Sequence, residues 1–491
     1  MARIIRHMAL RTPSQYIQSL RDDRTVYFRG QRVPDVTQHP AIRVGIDHAA
    51  IDYALAEQPE HRPLAVVEDE GQPCSRYFKL PRSSQDLLDR SALIELSTRK
   101  GATMVCLVKE IGTDCLFALT RVAQQTDAKF GTEYSGRVQR FYHHCRDNDL
   151  AMAVAQSDVK GDRSKGPSQQ ADPDQYVRIV SRDDTGITVR GCKVHTSVSV
   201  NANELLVIPT RAMAEADADY AVAFAVPLAT PGLKLIASPY DTHPKNRFEH
   251  PLSAEHKMFE TMTVFDDVFV PWERVFLAGE WQMAGPLALG FVDYHRFTAV
   301  SYKLPLVDLL VGAAFCMAEY NGIERAGHVR DKLIWLVSYA ETLRALTRLS
   351  ALECVQTPEG LVKPHTLTVN MAKHHFAANY HQALAHVQDI TGGLAATAPA
   401  EEDFRSPETG GYLWKYLAGK APYSAEERMR MINLVQDLTA SDFAGYQAIL
   451  AVHAEGSIEA EKLAILREYD PKPAVAYARS LVPSPAAAGE S

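Results

Sequence analysis

The periodicity of apolar residues changes twice along this chain, and those changes constrain its architecture more than any other feature. From residue 42 to about 149 the apolar spacing is mostly helical, most clearly over residues 84–107. Residues 150 to about 276 are rich in Val, Ile, Thr and glycine-bearing turns, the composition of strands. Beyond Gly279 helical spacing returns. Residues 304–320 (stopped by Asn321-Gly322), 331–354, and 372–390 (closed by Thr391-Gly392-Gly393) predict long amphipathic helices. The expected fold is therefore α+β and multidomain: a mainly helical domain over 1–149, a β domain over 150–278 and a helical bundle over 279–480. Pro483-Ser484-Pro485-Ala486-Ala487-Ala488-Gly489-Glu490-Ser491 predicts a disordered tail over 481–491. At 491 residues the chain can bury a sizeable core in two or three domains.

Local signals agree with this outline. Thr12-Pro13-Ser14-Gln15 is a helix start, with Thr12 as cap and Pro13 in the first turn. Thr25-Val26-Tyr27-Phe28 and Gln31-Arg32-Val33 flank Arg29-Gly30 as a small hairpin. Val222-Ala223-Phe224-Ala225-Val226 and Leu233-Lys234-Leu235-Ile236 are expected strands around Thr230-Pro231-Gly232.

A net charge of −8 argues against nucleic acid or an anionic membrane face as partner. Seven scattered cysteines, an odd number, fit a reducing cytoplasm. Met1-Ala2-Arg3-Ile4-Ile5-Arg6-His7 begins no apolar leader, and no window is expected to span a bilayer. There is no Gly-x-Gly-x-x-Gly after a strand and no phosphate loop. A dinucleotide here is not gripped in the Rossmann manner, and no site for a nicotinamide donor is evident. Along residues 374–386 stand His374, His375, His381 and His386, but no carboxylate-rich motif accompanies them, so no metal is expected.

Candidate chemistry concentrates in residues 149–200. Gln156-Ser157-Asp158-Val159-Lys160-Gly161-Asp162-Arg163-Ser164 is a polar loop ending an apolar run. Arg190-Gly191-Cys192-Lys193-Val194-His195-Thr196-Ser197 ends a strand in a second cluster of small donors. Tyr176-Val177-Arg178-Ile179-Val180 and Ile187-Thr188-Val189 predict a hairpin turning at residues 182–186. A hairpin brings its flanks together, so loop and strand end can line one cleft; on spacing alone an ordinary surface loop and strand terminus is the favoured reading.

These motifs, with Pro167-Ser168-x-Gln170-x-Asp172-Pro173-Asp174 and the block from Phe248-Glu249-His250-Pro251 through Phe269-Val270-Pro271-Trp272-Glu273-Arg274, resemble the family of flavin-dependent 4-hydroxyphenylacetate 3-hydroxylases and 4-hydroxybutyryl-CoA dehydratases. The resemblance extends from Thr12-Pro13 to about Ser457. It implies an acyl-CoA dehydrogenase-like fold and FAD contacts at Gln156, Ser157, Asp158, Lys160, Arg163, His195, Thr196 and Ser197, with further contacts at Glu455, Gly456 and Ser457.

The family has two branches. The dehydratases build a 4Fe–4S cluster on three cysteines and a histidine. Of the matching positions Cys106 and His295 are kept, while Glu110 and Tyr302 stand where cysteines belong. One thiolate and one imidazole do not anchor such a cluster, so none is expected. Cys106 is then a small buried side chain, and His295 and Tyr302 line the flavin cavity as catalytic candidates. Glu260 and Lys303 also match dehydratase active-site positions.

The hydroxylases transfer oxygen to an electron-rich ring through a flavin C4a-hydroperoxide, with a histidine in Tyr-x-His-x-Arg-x-Asn-Asp-Leu beside the substrate. Tyr142-His143-His144-Cys145-Arg146-Asp147-Asn148-Asp149-Leu150 places His144 there for proton handling. On residues alone, a solvated pair on a helix end is the favoured reading of His143 and His144. An arginine and a tyrosine that touch the phenol in that branch are replaced here by Ile111 and Cys115, which implies a larger or less anionic ring.

The resemblance thus implies a cytoplasmic monooxygenase acting on a phenolic or related aromatic substrate and O2. Reduced FAD would come from a separate NAD(P)H-flavin reductase, and the chain would self-associate as a homotetramer or homodimer. The alternatives are a cluster-independent flavoenzyme acting on a CoA thioester and a flavin-binding protein without catalysis.

Overall fold

The computed structural model describes residues 10–241 and 244–482, and in it both changes of period become changes of secondary structure. The expected tail lies almost wholly outside the described residues, as do residues 1–9. The helices of the first part are α1 (Pro13–Ser19), α2 (Pro40–Ala49), the single turns α3 (Ile51–Ala54) and α4 (Arg62–Ala65), then α5 (Ser84–Lys100), α6 (Glu110–Phe130) and α7 (Tyr134–Asp147). Thr12 caps α1: its hydroxyl accepts from the Gln15 amide, while the Gln15 side chain accepts from the Thr12 amide. The helical spacing expected over 84–107 stops at Lys100. Ala102, Thr103 and Leu107 take positive φ, so the linker into α6 is a run of left-handed turns. Met104, Val105 and Leu107 are nevertheless buried, which is why their pattern imitates a helix face.

The strands are β1 (Thr25–Phe28), β2 (Gln31–Val33), the separate ribbon β3 (Val66–Asp69) and β4 (Gln72–Ser75), then β5 (Met152–Ala155), β6 (Arg178–Arg182), β7 (Gly186–Ser197), β8 (Glu204–Val207), β9 (Val222–Pro227), β10 (Leu233–Ala237), β11 (Glu260–Pro271) and β12 (Val275–Ala278). One sheet has the order β2-β1-β10-β11-β7-β6 and a second the order β12-β9-β8-β5. The expected β6–β7 hairpin is present, its turn held by Asp183, whose carboxylate accepts from the amides of Thr185 and Gly186. β9 and β10 are strands as expected, but they lie in different sheets. β1 runs parallel to β10, Val26 opposite Leu235, so the first hairpin belongs to the main sheet and the β part does not begin at residue 150.

The last part comprises α8 (Ala284–Tyr320), α9 (Gly327–Leu352), α10 (Thr366–Thr391), the short α11 (Leu394–Thr397), α12 (Glu401–Arg405) and α13 (Gly410–Tyr416), then α14 (Ala425–Thr439), α15 (Asp442–His453), α16 (Ile458–Glu468) and α17 (Lys472–Ser480). α8 begins well before the expected residue 304 and continues through Pro305. It is apolar on nearly every side because helices surround it, so it shows no amphipathic period. The segment Trp281–Tyr320 is long and apolar enough, by length and composition, to cross a membrane, which corrects the expectation that no such window exists. Most of that apolar surface is buried inside the protein, and the helix carries His295, Arg296 and Lys303 inward.

Candidate active site

β11 opens at Glu260, and its register against β7 sets Glu260 opposite Ser197. The Ser197 hydroxyl donates to the Glu260 carboxylate at 2.9 Å, and the phenol of Tyr446 on α15 donates to Oε1 at 2.7 Å. Tyr446 stacks on Tyr240 with ring centroids 4.3 Å apart. Burial pushes the Glu260 carboxyl up to about 7, although both hydroxyl groups oppose the shift. A carboxyl so poised can give or take a proton near neutral pH.

A second carboxylate enters from the turn between α15 and α16. Glu455 and Gly456 have φ of 58° and 113°, and Arg296 Nε donates to the Glu455 carbonyl at 2.9 Å. A Cβ on Gly456 would lie 2.5 Å from the Arg296 guanidinium, so the turn requires glycine twice over. The Glu455 side chain reaches inward to α8: the phenol of Tyr302 donates to Oε1, and Lys303 Nζ donates to Oε2 at 3.1 Å. Burial raises the Glu455 carboxyl, but Lys303, Lys373 and His295 outweigh it and hold the group at about 2. Burial lowers Lys303 to about 8 against the pull of Glu455, while burial and then Glu455 push the Tyr302 phenol well up. His295, two helical turns before Tyr302, sets Nδ1 3.1 Å from Asp114 Oδ2. Asp114 also accepts from Arg90 at 2.7 Å and Thr298 at 3.0 Å.

The polar loop and the end of β7 do meet. The Ser157 carbonyl accepts from the Val194 amide at 2.9 Å, Asp158 pairs with Lys193 at 2.6 Å, and the Gln156 carbonyl accepts from Lys193 Nζ at 2.8 Å. The Asp158 carboxylate also accepts from Thr210, and Thr196 is buried with its hydroxyl accepting from Thr263. Both side chains therefore frame the cleft from within. Lys160 and Arg163 are exposed, and neither has an ion-pair partner among the described residues. His195 is exposed at the same rim; its pKa is lowered by partial burial and then by the nearby charges of Lys160 and His453. Ser457 caps α16, accepting from the Ala460 amide.

Other expected residues lie elsewhere. The side chain of His144 is 44% exposed near the end of α7, with Nε2 3.4 Å from Glu204, which pairs with Arg274. The structure does not bring it to the Glu260–Glu455 cluster. Ile111 and Cys115 are buried on α6, on either side of Asp114, and burial pushes the Cys115 thiol far up. Cys106 donates to the His48 carbonyl, and burial, then Asp52 and Glu110, push its thiol far up. Glu110 accepts from the Lys109 amide. Of the four positions that match cluster ligands Cys106 alone carries a thiol, the others being Glu110, His295 and Tyr302, a donor set that does not fit a centre anchored by cysteine thiolates. The histidines of α10 diverge: His375 contacts the Tyr339 carbonyl, His374 faces Glu461, and His386 packs on Trp335.

Residues 12–277 match the family model described as 4-hydroxyphenylacetate 3-hydroxylase N terminal, and residues 284–483 match its C-terminal counterpart. The chain belongs to the 4-hydroxyphenylacetate 3-hydroxylase family. It is 34% identical over 474 residues to a 4-hydroxybutyryl-CoA dehydratase/vinylacetyl-CoA-Delta-isomerase of Clostridium aminobutyricum, covering 94% of this chain and 96% of that one. It is 30% identical over 442 residues to the 4-hydroxyphenylacetate 3-monooxygenase oxygenase component of Thermus thermophilus, covering 89% and 90%. Among solved structures it matches an oxygen-tolerant archaeal 4-hydroxybutyryl-CoA dehydratase from N. maritimus with a TM-score of 0.90 at 30% identity, covering 97% and 96%. It matches the oxygenase component of a 4-hydroxyphenylacetate 3-monooxygenase complexed with FAD with a TM-score of 0.88 at 27% identity, covering 96% and 98%.

Within this family framework, Tyr446, Asp114, Lys373 and Glu461 are members of the site's polar network that sequence reasoning did not single out. Asp114 and Lys373 carried the one available signal, a charge on an otherwise inward-facing helix surface.

Proposed function

We propose that this protein is the oxygenase of a two-component system. It would use reduced FAD from a separate NAD(P)H-flavin reductase to hydroxylate a phenolic or related electron-rich aromatic with O2. The observation that carries this choice is the donor set at Cys106, Glu110, His295 and Tyr302, which offers no anchorage for the cluster on which dehydration depends.

The cleft residues fit FAD. Lys160 and Arg163 are cations without an ion-pair partner among the described residues and are suited to its phosphates, and Ser157, His195 and the Ser197 edge offer polar contacts beside them. When bound, reduced flavin supplies the electrons that activate oxygen. The protein's own part is proton handling and exclusion of water. The burial of Glu260 near neutral pKa supports it as the group that takes the phenol proton, the role expected of His144. Ser197 and Tyr446 hold its carboxylate in place. Ile111 and Cys115 offer no charge to an acidic tail, which supports a less anionic ring than phenylacetate.

Exposed Ile334, Ile449, Leu463 and Leu466 on α9, α15 and α16 support self-association as a homodimer or homotetramer. Seven unpaired cysteines support a cytoplasmic setting.

The test is oxygen-dependent hydroxylation of phenols that requires an added reductase and FAD. A second reading, a cluster-free isomerase of a CoA thioester, is favoured by Glu260 and Lys303, two buried groups poised at about 7 and about 8, as a proton shift requires. Conversion of vinylacetyl-CoA without oxygen, and inertness towards phenols, would establish that reading instead.

A further inference from the structure

Glu461 on α16 is fully buried, and neither of its carboxylate oxygens has a hydrogen-bond partner among the described residues. Its closest cation is Lys373 Nζ on α10 at 3.3 Å, with His374 Nδ1 at 3.9 Å. An ion pair sealed from water with no hydrogen bond to its carboxylate contributes little to stability, because desolvation costs as much as attraction returns. Its position indicates another use. Lys373 is itself fully buried, donates to the Ala451 carbonyl at 3.1 Å, and stands 3.7 Å from Glu455 Oε2. That oxygen is the one Lys303 holds at 3.1 Å from the other side. Two ammonium groups thus flank one carboxylate oxygen, and Glu461 neutralises the more distant of them. Without Glu461, Lys373 would have Glu455 as its remaining carboxylate within ion-pair reach among the described residues.

We propose that Glu461 is a positioning residue: by occupying Lys373 it leaves the Glu455 carboxylate to Lys303 and Tyr302, so that docking of α16 on α10 sets the geometry of the Glu455–Lys303–Tyr302 cluster. The functional half of this inference rests on the proposed function above; the geometric half does not. Arg296 on the Glu455 carbonyl and Gly456 at its positive φ fix the backbone of the turn, so the side chain is the part free to choose between the two lysines.

The test is a pair of crystal structures of the full chain, E461Q and K373M/E461Q, with turnover measured on the FAD-loaded proteins. In E461Q, Glu455 is expected to leave hydrogen-bond reach of Lys303 and close on Lys373, with kcat falling roughly 10- to 100-fold and KM little changed. In K373M/E461Q the competing cation is gone, Glu455 returns to Lys303, and most of the lost kcat returns with it. A pair that merely staples α16 to α10 gives the opposite order, the double variant being no better than the single. Glu455 remaining on Lys303 in E461Q, or a double variant that recovers nothing, overturns the proposal. If E461Q does not fold, E461D, which draws the charge back by one methylene, is read for the same displacement to a smaller extent. The two crystal structures decide the geometry even if the chain hydroxylates nothing, so failure of the oxygenase reading and failure of this inference remain distinct.

Discussion

Glu260 and Tyr446 meet across the seam between the main sheet and the helical bundle, the phenol donating to the carboxylate at 2.7 Å over 186 residues of sequence. The bond ties the start of β11 to the middle of α15 and gives a buried acid one of its two hydroxyl partners. Removing one partner of such a pair reads out both stability and chemistry.

For Glu260 the pH dependence has a definite sign. Its folded pKa, about 7, lies above the ordinary 4.5, so the folded state binds the extra proton between those values. Stability from this group is complete below about pH 4.5 and is lost as pH rises to about 7, a change of roughly 3 kcal/mol. Urea unfolding of E260Q is expected to lack that decline. The variant should also lose hydroxylation by about 100-fold or more, whereas H144A, which alters an exposed side chain, should lose less than about threefold.

Lys303 behaves in the opposite sense. Its folded pKa of about 8 lies below the ordinary 10.5, so stability from it increases as pH rises from about 8 to about 10.5. K303M, measured by denaturant unfolding across that range, should show no such increase. In K303M, Glu455 retains the Tyr302 phenol and the more distant Lys373 as partners.

G456A tests the turn. A φ of 113° and a Cβ within 2.5 Å of the Arg296 guanidinium predict a loss of about 1–3 kcal/mol in stability. Because the same turn delivers Glu455, turnover should fall by more than the change in folded fraction explains. Thermal unfolding and kcat on the same preparation separate the two effects.

Lys160 and Arg163 stand exposed without ion-pair partners among the described residues, so their truncation should leave the melting temperature unchanged. K160A and R163A are each expected to weaken FAD binding, measured by fluorescence quenching, by roughly 3- to 10-fold, with a shallower salt dependence than the parent. K193M is the structural contrast. It strands the buried Asp158 carboxylate and should cost about 3–5 kcal/mol in stability.

What sequence could disclose about this protein followed distance along the chain. The Thr12 cap and the β6–β7 hairpin depend on residues within a few positions of one another, and both are present where the residues place them. The meeting of the 156–164 loop with the end of β7 was one of two readings the residues allowed, and it is made by Ser157 and Asp158 against Val194 and Lys193, beyond the paired part of the hairpin. α8 was legible only in its second half, since even the exposed positions of its first half, such as Leu289, are apolar and leave no polar face to mark its period. Residues 101–107 misled in the reverse direction, a buried run of turns that repeats like a helix. The site itself was half visible. Glu260, Lys303 and His295 could be matched to family positions, but Tyr446, Lys373 and Glu461 are brought in by packing of α10, α15 and α16, which no local pattern encodes. His144 carried the right residue type in a fitting motif, yet the helix turns it towards Glu204.

The parallel pairing of β1 with β10 has a consequence for how the chain can be cut. A fragment starting at residue 150 would leave one margin of β10 bare, a row of unsatisfied amides and carbonyls that invites fibrils or exchange of strands between copies. The β1–β2 hairpin is thus a selvedge to the sheet, and because it is synthesised before β10 it must be kept free until that strand leaves the ribosome.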